Sequence, residues 1–349
     1  MGGELSQSSD EHARALMIPS ESTLRWLLDS DPSIRWQVMQ DLMNESDDVV
    51  AAERSRVADE GWGARLLDLQ GENGDWGGGP YMCPGWIATT DTLSELRDLG
   101  VDPASERVRR AIALVRAHSS WGPEFGDAPF FEGETEACIN GRVLAVGAYF
   151  GEGSDRLVER LLGEQLDDGG WNCAAPPSMR SSFHSTICVL EGLLEYEHAK
   201  GATAAVTAAR VRGQEFLLER RLFRSLSTGK IIKPEWTRCS FPTRWHYDLL
   251  RGLDYLRRAE VKPDPRMAEA IELLEQKRDR DGRWSLENRH DGETHFEMED
   301  GVGKPSRWNT LRALRVLDWF RRYGSGGGSS KALAVDDSQN EDPAVQGEN

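Results

Sequence analysis

Between residues 21 and 323, apolar side chains recur at three- and four-residue steps. That is the spacing of one face of an α-helix. Alternation of the kind a half-buried strand needs is scarce, and only 230–241 is ambiguous. The helical runs form two sets. Ala64–Leu69, Glu106–Ala117, Asp155–Glu164, Ala204–Glu219 and Pro265–Gln276 are rich in Arg and Glu and carry one apolar stripe, which predicts solvent-facing helices. Ile34–Met43, Ile87–Leu99, Cys138–Phe150, Phe183–Tyr196, Trp245–Leu256 and Trp308–Phe320 are more apolar, or carry unusual polar residues near their starts. These predict about six inner helices packed against five to six outer ones, an all-α arrangement.

Three inner-helix starts nearly repeat one another: Ser33-Ile34-Arg35-Trp36-Gln37, Thr243-Arg244-Trp245-His246-Tyr247 and Ser306-Arg307-Trp308-Asn309-Thr310. Each follows a proline (Pro32, Pro242, Pro305), so Ser33, Thr243 and Ser306 are candidate N-caps. The runs Ile34–Met43 and Trp308–Phe320 read as interior repeats without polar end faces. A linear stack would expose both, so the pattern favours a closed ring in which the last pair packs on the first.

A second phrase marks the turns between helices. Gln70-GEN-Gly74-Asp75-Trp76, Gln165-LDD-Gly169-Gly170-Trp171 and Gln276-KRDRD-Gly282-Arg283-Trp284 each set a Gln, a polar stretch, a Gly and a Trp between two apolar runs. The glycine allows a turn, and the tryptophan can anchor it against the next layer.

Composition narrows the class. The chain has 349 residues, 38% of them hydrophobic and 12 of them Trp, enough for one large packed domain. A formal charge of −17 argues against a sequence-independent nucleic-acid binder. The five cysteines, Cys83, Cys138, Cys173, Cys188 and Cys239, contain no C-x-x-C pair, which argues against a disulfide framework or zinc ribbon. No run approaches a membrane span and no leader stands at the start, so a cytoplasmic protein is expected, with peripheral membrane contact left open. Residues 1–20 read as a flexible N-terminus, 21–323 as the domain, and 324–349 as a disordered Gly/Ser-rich acidic tail.

With its repeats in place, most of 21–323 resembles the α/α toroid of the squalene-hopene cyclase and protein-prenyltransferase β-subunit superfamily. The Gln–Gly–Trp phrases look like the QW repeats of triterpene cyclases, and Ser181-Ser182-Phe183-His184-Ser185-Thr186 resembles an inner-helix start of that fold. The resemblance implies a single squalene cyclase-like toroid that acts on, or binds, an isoprenoid-like or other apolar substrate with an anionic head. The sequence carries no D-x-D-D; its nearest string, Glu45-Ser46-Asp47-Asp48, lies in a polar stretch, so the alkene-protonating acid of standard squalene or hopene cyclization has no counterpart here. If protonation is the chemistry, Asp248 and Glu136 are the candidate acids.

Four arginines, Arg35, Arg180, Arg244 and Arg307, stand at or just before inner-helix starts. Parallel inner helices would gather them, with the positive helix ends, into a mouth suited to a diphosphate or carboxylate. Pairing with acids at repeat junctions is the other reading. His184 and His246 open two inner helices. In the related prenyltransferases an Asp, a Cys and a His hold zinc, and the resemblance implies His184, His246 and Cys173 as candidate ligands, with Cys138 as a further sulfur and Asp248 as an oxygen donor. Both histidines also suit hydrogen-bonded junctions. Trp245, Tyr247 and Trp308 recur at inner-helix starts, where they would bind an apolar substrate or fill the core, and Asn140 and Asn309 are candidates for a polar cavity wall. The stretch Arg289–Asp300 is dense in ionisable groups and reads as a lid or a solvated loop. A non-catalytic, partner-binding toroid also fits this sequence.

Overall fold

Each fully formed Gln–Gly–Trp phrase is a set of hydrogen bonds that ties one helical layer to the next. In the computed structural model, which describes residues 19–81 and 85–324, Gln70 Nε2 donates to the carbonyls of Gly74 and Ala111, both at 2.9 Å. Gln165 repeats this on Gly169 and Ala209 at 2.7 and 2.8 Å. Trp76, Trp171 and Trp284 each donate Nε1 to the carbonyl ten residues earlier, on Leu66, Leu161 and Leu274, at 2.7–2.8 Å. Their backbone N–H groups donate to Thr89, Thr186 and Thr310 Oγ1 at 3.0–3.1 Å. All three indoles are buried, which removes a large apolar surface from water while leaving no indole N–H unmet. Gly74, Gly169 and Gly282 hold φ of 83°, 93° and 80°, the left-handed region where a side chain is strained. Gln276 departs from the pattern and donates to Glu272 instead.

These phrases connect thirteen α-helices among the described residues. The inner ones are α2 (Pro32–Val38, continued by a π-helical turn Met39–Met43), α5 (Thr89–Leu99), α7 (Ala137–Tyr149), α9 (Phe183–Lys200), α11 (Leu249–Arg258) and α13 (Arg307–Gly324). Outside them lie α1 (Glu21–Leu28), α3 (Asp47–Ser55), α4 (Gly61–Asp68), α6 (Glu106–His118), α8 (Asp155–Gly163), α10 (Ala204–Glu219) and α12 (Ala268–Gln276). The fold is one all-α domain. Among the described residues its strand structure is a two-residue antiparallel pair, β1 (Trp284–Ser285) with β2 (Pro305–Ser306). Among the described residues no helix is long and apolar enough to cross a membrane.

Two outer helices, α1 and α3, lie beyond the five runs named from the sequence and bring the outer set to seven, against the five to six expected. The caps also differ from expectation. Asp31, not Ser33, caps α2, accepting from Ser33 N at 2.9 Å. Residues 243–248 are a turn rather than the first turn of a helix, and Asp248, not Thr243, caps α11 through Arg251 N at 2.7 Å. Ser306 does cap α13, accepting from Asn309 N at 2.9 Å.

Successive inner helices are joined in order. Trp36 and Gln37 of α2 donate to the Leu99 and Asp98 carbonyls of α5. Arg142 of α7 pairs with Asp91 of α5 at 2.7 Å. Helices α7 and α9 meet backbone to backbone at Gly141 and Gly192. Arg251 of α11 pairs with Glu191 of α9 at 2.8 Å, and Arg312 of α13 lies 3.7 Å from Asp254 of α11. Arg315 of α13 returns to Asp41 and Gln37 at the end of α2. The expected terminal segments, apart from residues 19, 20 and 324, fall outside the described residues, as does Cys83.

Candidate functional site

The turn 240–248 lies between two cavities. On one side is a pocket of about 470 Å³ walled by His184, His246, His290, Trp236 and Tyr247, with Lys233 among its lining residues. On the other is a central cavity of about 550 Å³ among the inner helices. Arg251 braces the turn between them: its Nη1 donates to the carbonyls of Arg244 at 3.0 Å and His246 at 2.6 Å.

The histidine pocket is held together by ring stacking. His246 lies between Trp245 and His290, with centroids at 3.8 and 3.7 Å and interplanar angles of 21° and 4°. His184 meets it edge-on at 5.8 Å and packs against Trp236 at 5.6 Å. Burial lowers all three imidazoles, to about 4 for His184, about 3 for His246 and about 4 for His290. Neighbouring cations and the other histidines push His184 and His246 the same way. Near neutral pH the three rings are therefore uncharged and able to accept protons. His184 Nδ1 already accepts from Tyr247 N at 2.8 Å, whereas His246 Nδ1 is buried without a partner. Ser240 Oγ joins His290 Nε2, at 3.3 Å, to Asp248, at 2.5 Å.

The central cavity is charged, not apolar. Arginines supply nine of its lining residues and carboxylates seven. Burial would raise Glu191, but Arg251 and Arg97 bring it down to about 2. Burial raises Glu95 to about 7 despite its pairing with Arg244. Lining residues from the first turns, such as Asp91 and Trp308, are buried. Those near the last turns include exposed Gln40 and His198. The cavity therefore opens where the inner helices end.

This corrects the expected arginine mouth. Arg35 pairs with Glu53 at 2.6 Å. Arg180 is exposed in a loop. Arg307 lies over the Trp26 ring at 4.8 Å and donates to the Trp26 and Asp29 carbonyls. Only Arg244 of the four lines the central cavity. Seven of the nine arginines that do so project from within the inner helices; Arg54 comes from α3 and Arg244 from the turn.

The remaining candidates divide between wall and frame. Trp245 stacks on His246, and Tyr247 packs on Phe183 at 4.9 Å while donating Oη to the Leu222 carbonyl at 2.7 Å. Trp308 stacks on Phe241 at 4.4 Å and lines the central cavity. Asp248 accepts from Ser240 N, Ser240 Oγ and Arg251 N, the work of a helix cap rather than of a donating acid. Asn140 is fully buried and bridges both backbone groups of Glu134. Asn309 donates to the Ser285 carbonyl at 3.2 Å. The Arg289–Asp300 stretch is anchored, with Asp291 and Glu293 carbonyls accepting from Trp86 and His295 bonded to Thr92 at 2.8 Å. Asp47 and Asp48 are exposed in the first turn of α3.

His184 and His246 are brought together, but Cys173 belongs to a different cluster. Its sulfur accepts from Cys138 N at 3.1 Å and contacts Ser185 Oγ at 3.2 Å. Glu136, Cys138 and Cys173 place three ligand atoms within 4.8 Å of one another. A hydrogen bond with Cys173 and burial raise the Cys138 thiol, while the same bond lowers Cys173.

Sequence reasoning did not single out Asp91, Arg142, Glu191, Arg251 or Asp254. Their signal was present: a charge inside an apolar helical run, as in Arg142 of GRVLAVGAY and Glu191 of VLEGLLEY.

No family model matches the chain. No curated protein matches it either. Solved structures of the type II terpene cyclase MstE from Scytonema are similar to it. The apo enzyme is 17% identical, covering 82% of this chain and 87% of that one, with a TM-score of 0.42. A variant with the product merosterolic acid A is 16% identical over 83% and 87%, also at 0.42. A variant with the substrate geranylgeranyl dihydroxybenzoate is 15% identical over 84% and 87%, again at 0.42.

Proposed function

We propose that this chain is a terpenoid cyclase-like α/α toroid that binds, and acts on, an isoprenoid-like molecule in its histidine pocket. The ring reading is supported by the ordered junctions from α2 round to α13 and back to α2. The observation that carries the functional reading is His246, clamped between Trp245 and His290 with an unpartnered Nδ1. Trp236 and Tyr247 offer aromatic walls to an apolar body, and their faces would stabilise developing positive charge. Lys233, 5.9 Å from the Trp236 centroid, is placed to meet an anionic head. A neutral His246 would accept a proton from the substrate.

Titration of farnesyl and geranylgeranyl diphosphate against intrinsic tryptophan fluorescence tests this. Saturable quenching is expected, weakened about tenfold by Trp236→Ala and by Lys233→Ala. Absence of quenching by either compound, or equal quenching of the Trp236→Ala protein, overturns it.

A second reading follows from the cysteine cluster: a zinc enzyme whose ligands are Glu136, Cys138 and Cys173 in place of the His184, His246 and Cys173 set. The S/S/O donors suit zinc, and three protein ligands leave the fourth position open, as in catalytic zinc sites. Cys173, whose thiol is lowered by its hydrogen bond with Cys138, is the readier thiolate of the two. Bound zinc would supply a Lewis acid or an activated thiol. Stoichiometric zinc in the purified protein, lost in Cys138→Ser and in Cys173→Ser, is the expected result. Metal-free protein with both thiols open to alkylation removes this reading.

A further inference from the structure

We propose that the central cavity binds a small, multiply charged anion, a phosphate ester or a polycarboxylate, entering where the inner helices end. This inference concerns a different cavity from the histidine pocket and stands apart from the function proposed there.

The first observation is the charge balance. Nine arginines and seven carboxylates face about 550 Å³, an excess of two cations (nine minus seven) inside a chain whose formal charge is −17. Burial also pushes Glu95 up to about 7, which weakens the negative side further.

The second is donor capacity. Each guanidinium carries five N–H donors. Arg257 gives only its Nε to Asp254, and Arg258 gives one Nη2 to Glu195. Arg54 bonds the Gly100 carbonyl and Tyr149 Oη, and has no carboxylate partner among the described residues. These three arginines line the end of the cavity that also holds exposed His198. Their remaining N–H groups have no acceptor among the described protein groups, and an anion with several oxygens would supply one in the planar, forked geometry guanidinium groups favour.

The third observation lies deeper in the wall. Arg142 Nη1, Arg315 Nε and Trp308 Nε1 are buried donors without partners, and Arg142 and Trp308 are at least nine-tenths buried. Unmet buried donors outnumber the one unmet acceptor of the wall, Asp91 Oδ2. The local demand is therefore for negative oxygen atoms.

The test is calorimetric titration of the whole protein with sodium diphosphate and with citrate, against sodium chloride, at a constant ionic strength of about 0.15 M. Saturable binding of diphosphate, of citrate or of both is expected. Diphosphate alone indicates a phosphate ester, citrate alone a polycarboxylate, and both together recognition by charge. Arg54→Gln combined with Arg257→Gln should weaken binding about tenfold or more. Lys233→Ala should leave it unchanged, which separates this site from the histidine pocket. Heat no different from that of chloride overturns the proposal, because the arginines then serve only their carboxylates and the helix-end carbonyls. Undiminished binding to the double variant overturns it as well. Should the double variant not fold, Arg257→Gln alone takes its place: weaker binding is expected, and undiminished binding overturns the proposal.

Discussion

Gly141 and Gly192 lock the two most intimately packed inner helices together. A Cβ built on Gly192 would lie 2.4 Å from the Gly141 carbonyl oxygen, and one on Gly141 would lie 2.5 Å from the Cys188 carbonyl carbon. Neither neighbour is a flexible side chain, so α7 and α9 would have to separate. Gly192→Ala is therefore expected to destabilise the fold by about 1–3 kcal/mol despite the better helix propensity of Ala. Gly163→Ala, at the end of α8 with open space around the new methyl, should cost nothing. Urea unfolding of the two variants checks this. Equal midpoints for both would mean that the helix contact contributes little.

The three Trp–Thr hydrogen bonds predict a graded series. Thr186→Val and Thr310→Val leave the Trp171 and Trp284 backbone N–H groups buried and unpaired, at about 1–3 kcal/mol each. Thr89→Val should cost more, because the single hydroxyl hydrogen of Thr89 is shared between Asp75 Oδ1 at 3.0 Å and the Gly79 carbonyl at 2.9 Å, whereas Thr186 and Thr310 reach only the Trp171 and Trp284 carbonyls at 3.4 and 3.5 Å. Thermal unfolding of the three single variants would show the order. If Thr89→Val proved the mildest, the bonds would not be holding the layers.

Much of this frame was legible in the chain. Helical spacing marked all six inner helices because each keeps a long apolar face, and the Gln–Gly–Trp phrases marked the turns because their glycines and indoles do the same job each time. The short helices α1 and α3 escaped, since eight or nine residues, about half of them polar, give little periodic signal. The placement of Arg35, Arg180 and Arg307 escaped for another reason. A charge at a helix start can turn inward or toward the next repeat, and only the tertiary partner decides; Glu53 and the Trp26 carbonyl decided here. The charged central cavity had a readable sign in Arg142 and Glu191, two charges within apolar runs, but their pairing with Asp91 and Arg251 crosses helices about 50 or more residues apart in sequence.

Arg251 and Glu191 give a sharp test of what those cavity charges do. Both are almost fully buried, and they share two hydrogen bonds of 2.8–2.9 Å. Removing one partner, as in Glu191→Gln or Arg251→Met, should cost about 3–5 kcal/mol because the other charge is left buried. The double variant should recover part of that loss. A double-mutant cycle in urea reads the coupling directly, and additive single effects would show that the pair does not hold α9 to α11.

The acid limb of stability should carry two opposing contributions. His184, His246 and His290 have folded-state values below the ordinary 6.5, through burial first. Their contribution is full above about pH 6.5 and is lost as pH falls toward 4. Glu299 has the reverse sign. Burial raises it to about 7, only partly offset by hydrogen bonds from Ser306 Oγ and the Trp308 N–H. Its carboxyl is favoured in the folded state below its unfolded value of about 4.5, and that advantage is lost as pH rises through 7. Between about pH 4.5 and 6.5 the two slopes oppose each other, so the unaltered protein should respond weakly to acid there. Glu299→Gln keeps an acceptor for Ser306 while removing the titration. It should therefore steepen the loss of stability on acidification, and His246→Asn should flatten it. Urea midpoints at about pH 5, 6 and 7 measure both slopes. If Glu299→Gln kept the slope of the unaltered protein, Glu299 would not be titrating as a buried acid, and Glu95, raised by burial in the same way, would be the carboxyl that opposes the histidines.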